Sequence, residues 1–176
     1  MVDIEHLQFG LETFGDIVAN EDGSLQTAAA SIRQIVREGQ LADELGIQVF
    51  GVGEHHRPDY SVSSPETVLA AISTVTKQIK LATAVTVLSS DDPVRVYERF
   101  ATLDALSDGR AQVMLGRGSF TESFPLFGYD LTDYDDLFNE KLGLYDALRN
   151  EKAVTWSGKF RAALKNQEVY PKTEKG

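Results

Sequence analysis

Two short motifs hold the residues of this sequence whose types and spacing could do chemistry. The first, Glu54-His55-His56, joins a carboxylate to two of the three histidines of the chain. Imidazole titrates near neutral pH and can exchange a proton with a ligand, while an adjacent carboxylate can fix its tautomer and raise its pKa. In the second, Gly116-Arg117-Gly118-Ser119, exposed backbone N–H groups and one guanidinium could hold a phosphate.

Each motif also has a simpler interpretation. Chance surface placement explains Glu54-His55-His56 about as well as function does, and a plain tight turn is the commoner reason for Gly116-Arg117-Gly118. We predict no metal site, because neighbouring histidines rarely face the same way, the spaced His-Glu-x-x-His pattern is absent and the chain has no cysteine. The glycines are not a dinucleotide fingerprint, since Thr121 stands where the third glycine would be.

Strand-like and helix-like segments alternate along the chain, and both motifs come directly after strands. Strands are expected at 7–14, 47–52, 79–88 and 111–115, and helices at 25–45, 65–75, 93–107 and 133–150. This order predicts an α/β protein with right-handed βαβ units and a parallel sheet. It suits an open doubly wound sheet as well as a (β/α) barrel, and in both the ligand site lies at the carboxyl ends of the strands.

Several local features are also predicted from the sequence. Ser24 is expected to cap the first helix, and Asp92 with Pro93 to open the third. The aromatic cluster after the second motif either walls a planar cofactor or packs its loop, and packing is the simpler reading; it comprises Phe120, Phe124, Phe127 and Tyr129. The inward face of the last helix is expected to consist of Leu137, Phe138, Leu142, Tyr145 and Leu148.

Composition narrows the classes of partner and compartment. The 176 residues include 17 Lys+Arg and 27 Asp+Glu, a formal net charge of −10, so we expect neither nucleic acid nor an anionic membrane as a partner. The absence of cysteine excludes disulfides and thiolate chemistry and suits the cytoplasm. Residues 1–6 lack the basic start and apolar run of a signal peptide, and no segment has the roughly 20 apolar residues of a membrane span.

Taken in order, several segments resemble the bacterial luciferase-like, flavin-dependent monooxygenase family. They are Gly-Glu-His-His at 53–56, Leu-Ala-Thr-Ala-Val at 81–85, Asp-Pro-Val-Arg at 92–95, Leu-Asp-Ala-Leu-Ser-Asp-Gly-Arg at 103–110, Gly-Arg-Gly at 116–118, Phe-Pro-Leu-Phe-Gly at 124–128 and Glu-Val-Tyr-Pro-Lys at 168–172. The set covers nearly the whole chain. The resemblance implies a TIM barrel whose cofactor is FMN or, in one branch of the family, the deazaflavin F420.

The resemblance also implies roles for particular residues. His55 matches the histidine assigned as acid/base near the reactive edge of the flavin, with Glu54 and His56 as neighbours that shape the catalytic pocket. The segment Thr83-Ala84-Val85 matches the strand whose backbone lies against the isoalloxazine. Arg117, within Gly116-Arg117-Gly118, matches an arginine that contacts the flavin phosphate. Gly116 stands where the luciferases themselves carry a reactive cysteine, so light emission is not expected.

The length of the chain bears on the function that the resemblance implies. A (β/α)₈ barrel typically needs about 250 residues, and only four βα units are recognised here. We therefore expect residues 1–150 to be the N-terminal (β/α)₄ half of a barrel, and residues 151–176 an insertion segment and polar tail. Four parallel strands cannot close such a barrel, so an inner face and a free edge would be exposed.

Two hypotheses about function follow. In the first, the chain is a truncated flavin-dependent monooxygenase or oxidoreductase that acts on a small organic substrate with O₂ and reduced FMN. FMN is favoured over F420, a flavin reductase is the expected partner, and the enzyme is expected to be a homo-oligomer. In the alternative, the chain is a non-catalytic half-barrel that self-associates through its open edge and keeps at most residual flavin affinity.

Overall fold

The structure, a computed structural model, describes residues 7–173. Residues 1–6, which include His6, and the end of the tail at 174–176 lie outside the described residues. The elements in chain order are β1 (Gly10–Thr13), α1 (Ala28–Glu44), β2 (Val49–Val52), α2 (Pro65–Ser73), β3 (Lys80–Thr83), β4 (Thr86–Val87), α3 (Pro93–Ser107), β5 (Ala111–Gln112), β6 (Leu115–Gly116), α4 (Ser123–Phe127), α5 (Tyr134–Asn150), β7 (Val154–Trp156) and β8 (Leu164–Gln167).

The central sheet is parallel, as the alternation of strands and helices predicts. Its strand order is β1-β2-β3-β5, and each strand pairs in parallel with its neighbour. In one register row, Leu11 lies beside Phe50, which lies beside Leu81. The carboxyl ends of β1, β2 and β3 therefore meet at one edge, and the two sequence motifs follow strands at that edge.

Alternation along the strands divides the sheet into two faces. Phe50, Val52 and Leu81 are at most 3% exposed and pack in the core with side chains from α1, α2, α3 and α5. The next row, Glu12, Gly51 and Ala82, belongs to the opposite face of the sheet. Of these, Glu12 lines the site described below.

The third predicted strand, 79–88, is interrupted rather than continuous. β3 ends at Thr83, the Ala84–Val85 peptide is cis, and the chain resumes as β4 before a 3₁₀ turn at Leu88–Ser90. The fourth predicted strand divides in the same way, so that β3 pairs with β5 and β4 pairs with β6. β-branched composition indicates strand conformation, but it does not show where along the segment the pairing passes from one neighbouring strand to another.

Two other local predictions were wrong. Thr27 and not Ser24 caps α1, because the Thr27 hydroxyl accepts from Ala30 N, whereas Ser24 is held in a turn by Asp22. Leu142 is 38% exposed, and the buried face of α5 uses Lys141 and Leu144 instead. The Nζ of Lys141 donates to the carbonyl of Ser89 at 2.7 Å, and burial lowers the pKa of this lysine to about 8. The prediction for Asp92 is confirmed, since its carboxylate accepts from the N–H groups of Val94 and Arg95.

The segment after α5 forms an antiparallel hairpin of β7 and β8. The sequence predicted β7, but it presented residues 164–167 as part of a polar tail because they lack an apolar face. The loop between the two strands is fastened to α5: the carboxylate of Glu140 accepts backbone hydrogen bonds from Lys159, Phe160 and Arg161. The division of the chain at residue 150 remains a prediction.

None of the helices between residues 7 and 173 combines the length and the apolar character that crossing a membrane requires. Over the same residues, no group of three or more His, Asp or Glu side chains is arranged to hold a metal ion.

Candidate active site

A cavity of about 350 Å³ opens at the carboxyl ends of the central strands. Apolar side chains and small residues form most of its wall, and an imidazole pair and three carboxylates supply its polar groups. The lining residues are Glu12, Phe14, Glu54, His55, His56, Ala84, Val85, Val87, Met114, Gly118, Ser119, Phe120, Glu122 and Ser123. All three residues of the first motif thus meet in one cavity with Ala84, Val85 and Gly118.

His55 is enclosed by three aromatic rings. Its ring stacks on Tyr60 at a centroid distance of 4.2 Å, and Phe14 and Phe120 meet it edge-on at 5.3 and 5.1 Å. The backbone N–H of His55 donates to the carbonyl of Val62 at 2.9 Å, which fixes where the side chain leaves the loop after β2. The imidazole is therefore held from several directions without using its own nitrogens.

Both ring nitrogens of His55 are buried and have no hydrogen-bond partner among the described residues. A buried polar atom without a partner is costly and uncommon, and it marks a place where a ligand or a functional constraint should be sought. Burial lowers the pKa of His55, against the carboxylates of Glu122 and Asp16, which raise it. The neutral imidazole is thus the favoured form near pH 7, with one nitrogen able to accept a proton.

Glu54 and His56 form a bonded pair beside His55. Glu54 Oε1 lies 3.0 Å from His56 Nε2, and Glu54 Oε2 accepts the backbone N–H of Val87 at 2.9 Å. The ring of Phe127 meets His56 edge-on at 5.2 Å. Glu54 therefore connects the loop after β2 to the segment beyond the interruption in the third strand, and it holds His56 in place.

The segment predicted to lie against a flat cofactor contributes two of its three residues to the cavity wall. Ala84 and Val85 line the cavity. Thr83 does not: it is fully buried, and its hydroxyl accepts from Thr86 Oγ1 at 3.0 Å and from Met114 N at 3.3 Å. Thr83 thus ties together the strands on either side of the interruption, while its two successors face the open space.

The glycines of the second motif allow close approach of neighbouring strands. A Cβ on Gly116 would lie 2.5 Å from Val85 Cγ2, and one on Gly118 would lie 2.8 Å from Val87 Cγ1. Gly118 also has a φ of 83°, in the left-handed region that favours glycine. Of the two, only Gly118 lines the cavity. Gly116 affects the cavity through its close contact with Val85, which lines it.

Arg117 does not line the cavity, although Gly118 and Ser119, which follow it, do. Its Nη1 donates to Asp135 Oδ1 at 2.7 Å, and its guanidinium lies 5.6 Å from the ring centroid of Tyr134. The side chain of Arg117 is 54% exposed, so this ion pair is a weak surface pair. The phosphate-contacting role of Arg117 remains a prediction, in which Asp135 would compete with the phosphate for the guanidinium.

Sequence reasoning missed several lining residues, of which Glu12, Phe14 and Glu122 matter most. A charged residue in the middle of a strand was the available signal for Glu12, but nothing in the sequence marked Phe14 or Glu122. Across residues 7–173, no lysine or arginine lines the cavity. The cavity wall therefore supplies neither an ammonium nor a guanidinium group to a phosphate.

Comparison with known proteins agrees with this arrangement. The model of the luciferase-like monooxygenase family matches residues 13–176. The chain belongs to this family. Among curated luciferase-like proteins, limonene 1,2-monooxygenase of Rhodococcus erythropolis is 31% identical over 148 residues, which are 84% of this chain and 38% of that protein.

Solved structures of luciferase-like proteins share the fold. Monooxygenase RslO1 from Streptomyces bottropensis superposes with a TM-score of 0.84 at 25% identity, over 95% of this chain and 50% of that one. The oxygenating constituent of 3,6-diketocamphane monooxygenase of Pseudomonas putida, solved with FMN, has a TM-score of 0.79 at 20% identity and covers 90% and 43%. An F420-dependent secondary alcohol dehydrogenase has a TM-score of 0.75 at 21% identity and covers 96% and 50%.

The chain thus spans 38% of the length of this curated relative and 43–50% of the length of these solved structures. Its parallel βα units correspond to half of their barrels, which confirms the fold class predicted from the sequence.

Proposed function

We propose that this chain is the N-terminal half of a flavin-dependent monooxygenase that acts on a small organic substrate with O₂ and reduced FMN. The observation that carries the proposal is the imidazole of His55, whose two buried nitrogens lack partners and which lies in a cavity at the end of β2. Such a group is arranged to exchange a proton with a bound ligand.

The residues present fit a flavin. When bound, the reduced flavin supplies the electrons that activate O₂. Ala84 and Val85 offer a flat wall, Gly118 allows close approach, and the aromatic rings around His55 keep water from the imidazole. His55 accepts or returns the proton through a ring nitrogen, Glu54 keeps His56 and Val87 in place, and Arg117 binds the phosphate at the rim.

FMN is the favoured flavin. The monooxygenase constituent from Pseudomonas putida was solved in complex with FMN, whereas the F420-bound neighbour is named a dehydrogenase. An FMN-dependent oxygenase needs a supply of reduced flavin, and we therefore include a flavin reductase as partner. A cytoplasmic, homo-oligomeric enzyme is the setting that we propose.

Flavin titration combined with turnover tests the proposal. The chain is titrated with FMN and with riboflavin, and substrate-dependent oxygen uptake is measured with reduced FMN. Changing His55→Gln is expected to lower turnover by at least about 100-fold while FMN affinity changes little. Arg33→Gln, at an exposed position of α1 outside the cavity, is the control and should leave both quantities unchanged. Equal losses of turnover and affinity in the His55 variant would refute the proton-transfer role.

A second candidate function, self-association of a non-catalytic half-barrel, is favoured by the edges of the sheet. β1 is an edge strand, in which Leu11 is 52% exposed, and Phe9 directly before the strand is 67% exposed. Paired edges would cover these side chains. Sedimentation on dilution tests this function. A dimer that Leu11→Lys dissociates, but the control Leu126→Lys does not, would favour self-association over the monooxygenase if the chain also shows no flavin-dependent oxygen uptake.

A further inference from the structure

The three rings around His55 are not equivalent. Tyr60 is held through its backbone, since its N–H donates to the carbonyl of Arg57 at 3.2 Å and it bridges to Asp16. Phe14 directly follows the edge strand β1 and packs beside Gly53. Phe120 instead belongs to the connection between β6 and α4, where it is 37% exposed. Phe14 is 42% exposed, so Phe14 and Phe120 both separate His55 from solvent, and Phe120 is the one of the two that is carried by the connection between β6 and α4.

The connection that carries Phe120 is anchored at both ends. The carbonyl of Gly118 accepts the hydroxyl of Tyr134 at 2.7 Å, and α4 begins at Ser123. Gly118 itself has a φ of 83°. Residues 119–122 therefore form a short span between two fixed points, with a glycine where the span begins. Rotation about such a position can move one side chain without moving the strands.

A weak external contact holds Phe120 over the imidazole. The guanidinium of Arg57 lies 5.0 Å from the centroid of the Phe120 ring, on a loop where Arg57 also pairs with Asp59. Both members of that ion pair are about half exposed, so water and salt compete with the contact. The cover is thus stabilised by interactions that a ligand can replace at small cost.

With the three rings in these positions, both nitrogens of His55 are buried, and Phe120 meets the imidazole edge-on at 5.1 Å. We propose that Phe120 is a movable cover of His55, latched by Arg57, and that a ligand gains its hydrogen bond to the imidazole only when this ring swings away. Phe120 is thus a positioning residue, which sets when His55 can react. Naming the ligand as a flavin or its substrate rests on the proposed function, whereas the cover itself does not.

Chemical labelling of the histidines tests the cover without any cofactor. Diethyl pyrocarbonate acylates accessible neutral imidazole, and peptide mass analysis reports the labelling rates of His55 and His56 separately. Changing Phe120→Ala is expected to raise the rate at His55 at least fivefold and to leave His56 unchanged. Phe120→Leu should give an intermediate rate, and Arg57→Gln a smaller increase, because it removes only the latch.

The matched control is Phe127→Ala, which removes the ring beside His56 and should leave the rate at His55 unchanged. Loss of the fold would raise both histidine rates together, so thermal melting of each variant accompanies the labelling. Equal rates at His55 in the parent and in a folded Phe120→Ala variant would overturn the proposal. Because no flavin is present, this outcome is independent of whether the chain supports oxygen uptake.

Discussion

The backbone N–H of Val87 donates a hydrogen bond of 2.9 Å to the carboxylate of Glu54. This bond joins the loop after β2 to strand β4, 33 residues further along the chain, and both residues line the cavity. The other oxygen of the same carboxylate lies 3.0 Å from His56 Nε2. Glu54 is therefore the link between the histidine motif and the wall formed after the strand interruption.

Replacing Glu54 tests this link. Glu54→Ala leaves both the Val87 N–H and His56 without their partner, and we expect it to lower the free energy of unfolding by about 1–3 kcal/mol. Glu54→Gln keeps an oxygen for Val87 and should recover most of the loss. Urea unfolding of the three proteins measures the difference. An alanine variant as stable as the parent would show that the bond contributes nothing.

The environment of His55 predicts how stability depends on pH. Because burial lowers the pKa of His55 in the folded chain below its ordinary value of 6.5, the unfolded chain binds the proton more readily. The stabilisation is complete above the unfolded pKa and is lost as the pH falls below it. Thermal midpoints at about pH 7.5 and 5.5 should therefore fall further for the parent than for His55→Gln. Equal decreases would contradict this sign.

The ion pair between Arg117 and Asp135 should compete with a phosphate for the guanidinium. Asp135→Asn is expected to tighten FMN binding about three- to fivefold, as befits a surface pair worth up to about 1 kcal/mol, and to leave riboflavin binding unchanged. Arg117→Ala should weaken FMN binding and spare riboflavin. Fluorescence titration measures both ligands. The control Asp136→Asn makes the same charge change one residue further on. An equal gain in FMN affinity in this control would show that Asp135 does not compete specifically for Arg117.

Gly116 is required by the close approach of Val85. In Gly116→Ala the new methyl would lie 2.5 Å from Val85 Cγ2, and overpacking of this kind costs about 1–3 kcal/mol. Because Val85 lines the cavity, flavin affinity should fall with stability. Gly143→Ala is the comparison, since its Cβ would meet Trp156 at 3.2 Å on an exposed face of α5. Urea unfolding that ranks the two variants as equal would show that Val85 can move aside freely.

Sequence reasoning predicted the order of the βα units and the strand-end position of both motifs. It succeeded because each unit has a strong local signal, such as the β-branched residues at 79–88 or Asp92 before Pro93. It also brought His55 to the same edge as Ala84 and Gly118, since parallel strands share that edge. These features follow from the direction of the chain and from the periodicity of its side chains, and short sequence segments are enough to determine both.

The aromatic enclosure of His55 could not be predicted in the same way. Phe14, Tyr60 and Phe120 follow or precede different elements, and only tertiary packing brings them to one imidazole. The interruption after Thr83 was missed for a related reason: a change of ladder partner depends on β5 and β6, not on the residues of the strand itself. Neither feature has a local signature.

The hydrogen bonds between Glu140 and the loop that joins β7 to β8 should affect proteolysis. Lys159 and Arg161 are both trypsin sites, and the backbone around them is bound to the Glu140 carboxylate by hydrogen bonds of 2.6–3.1 Å. A protease must draw an extended stretch of chain into its cleft, so cutting here requires this carboxylate to release the loop first. The folded chain should therefore resist nicking at a position that its sequence marks as an easy target.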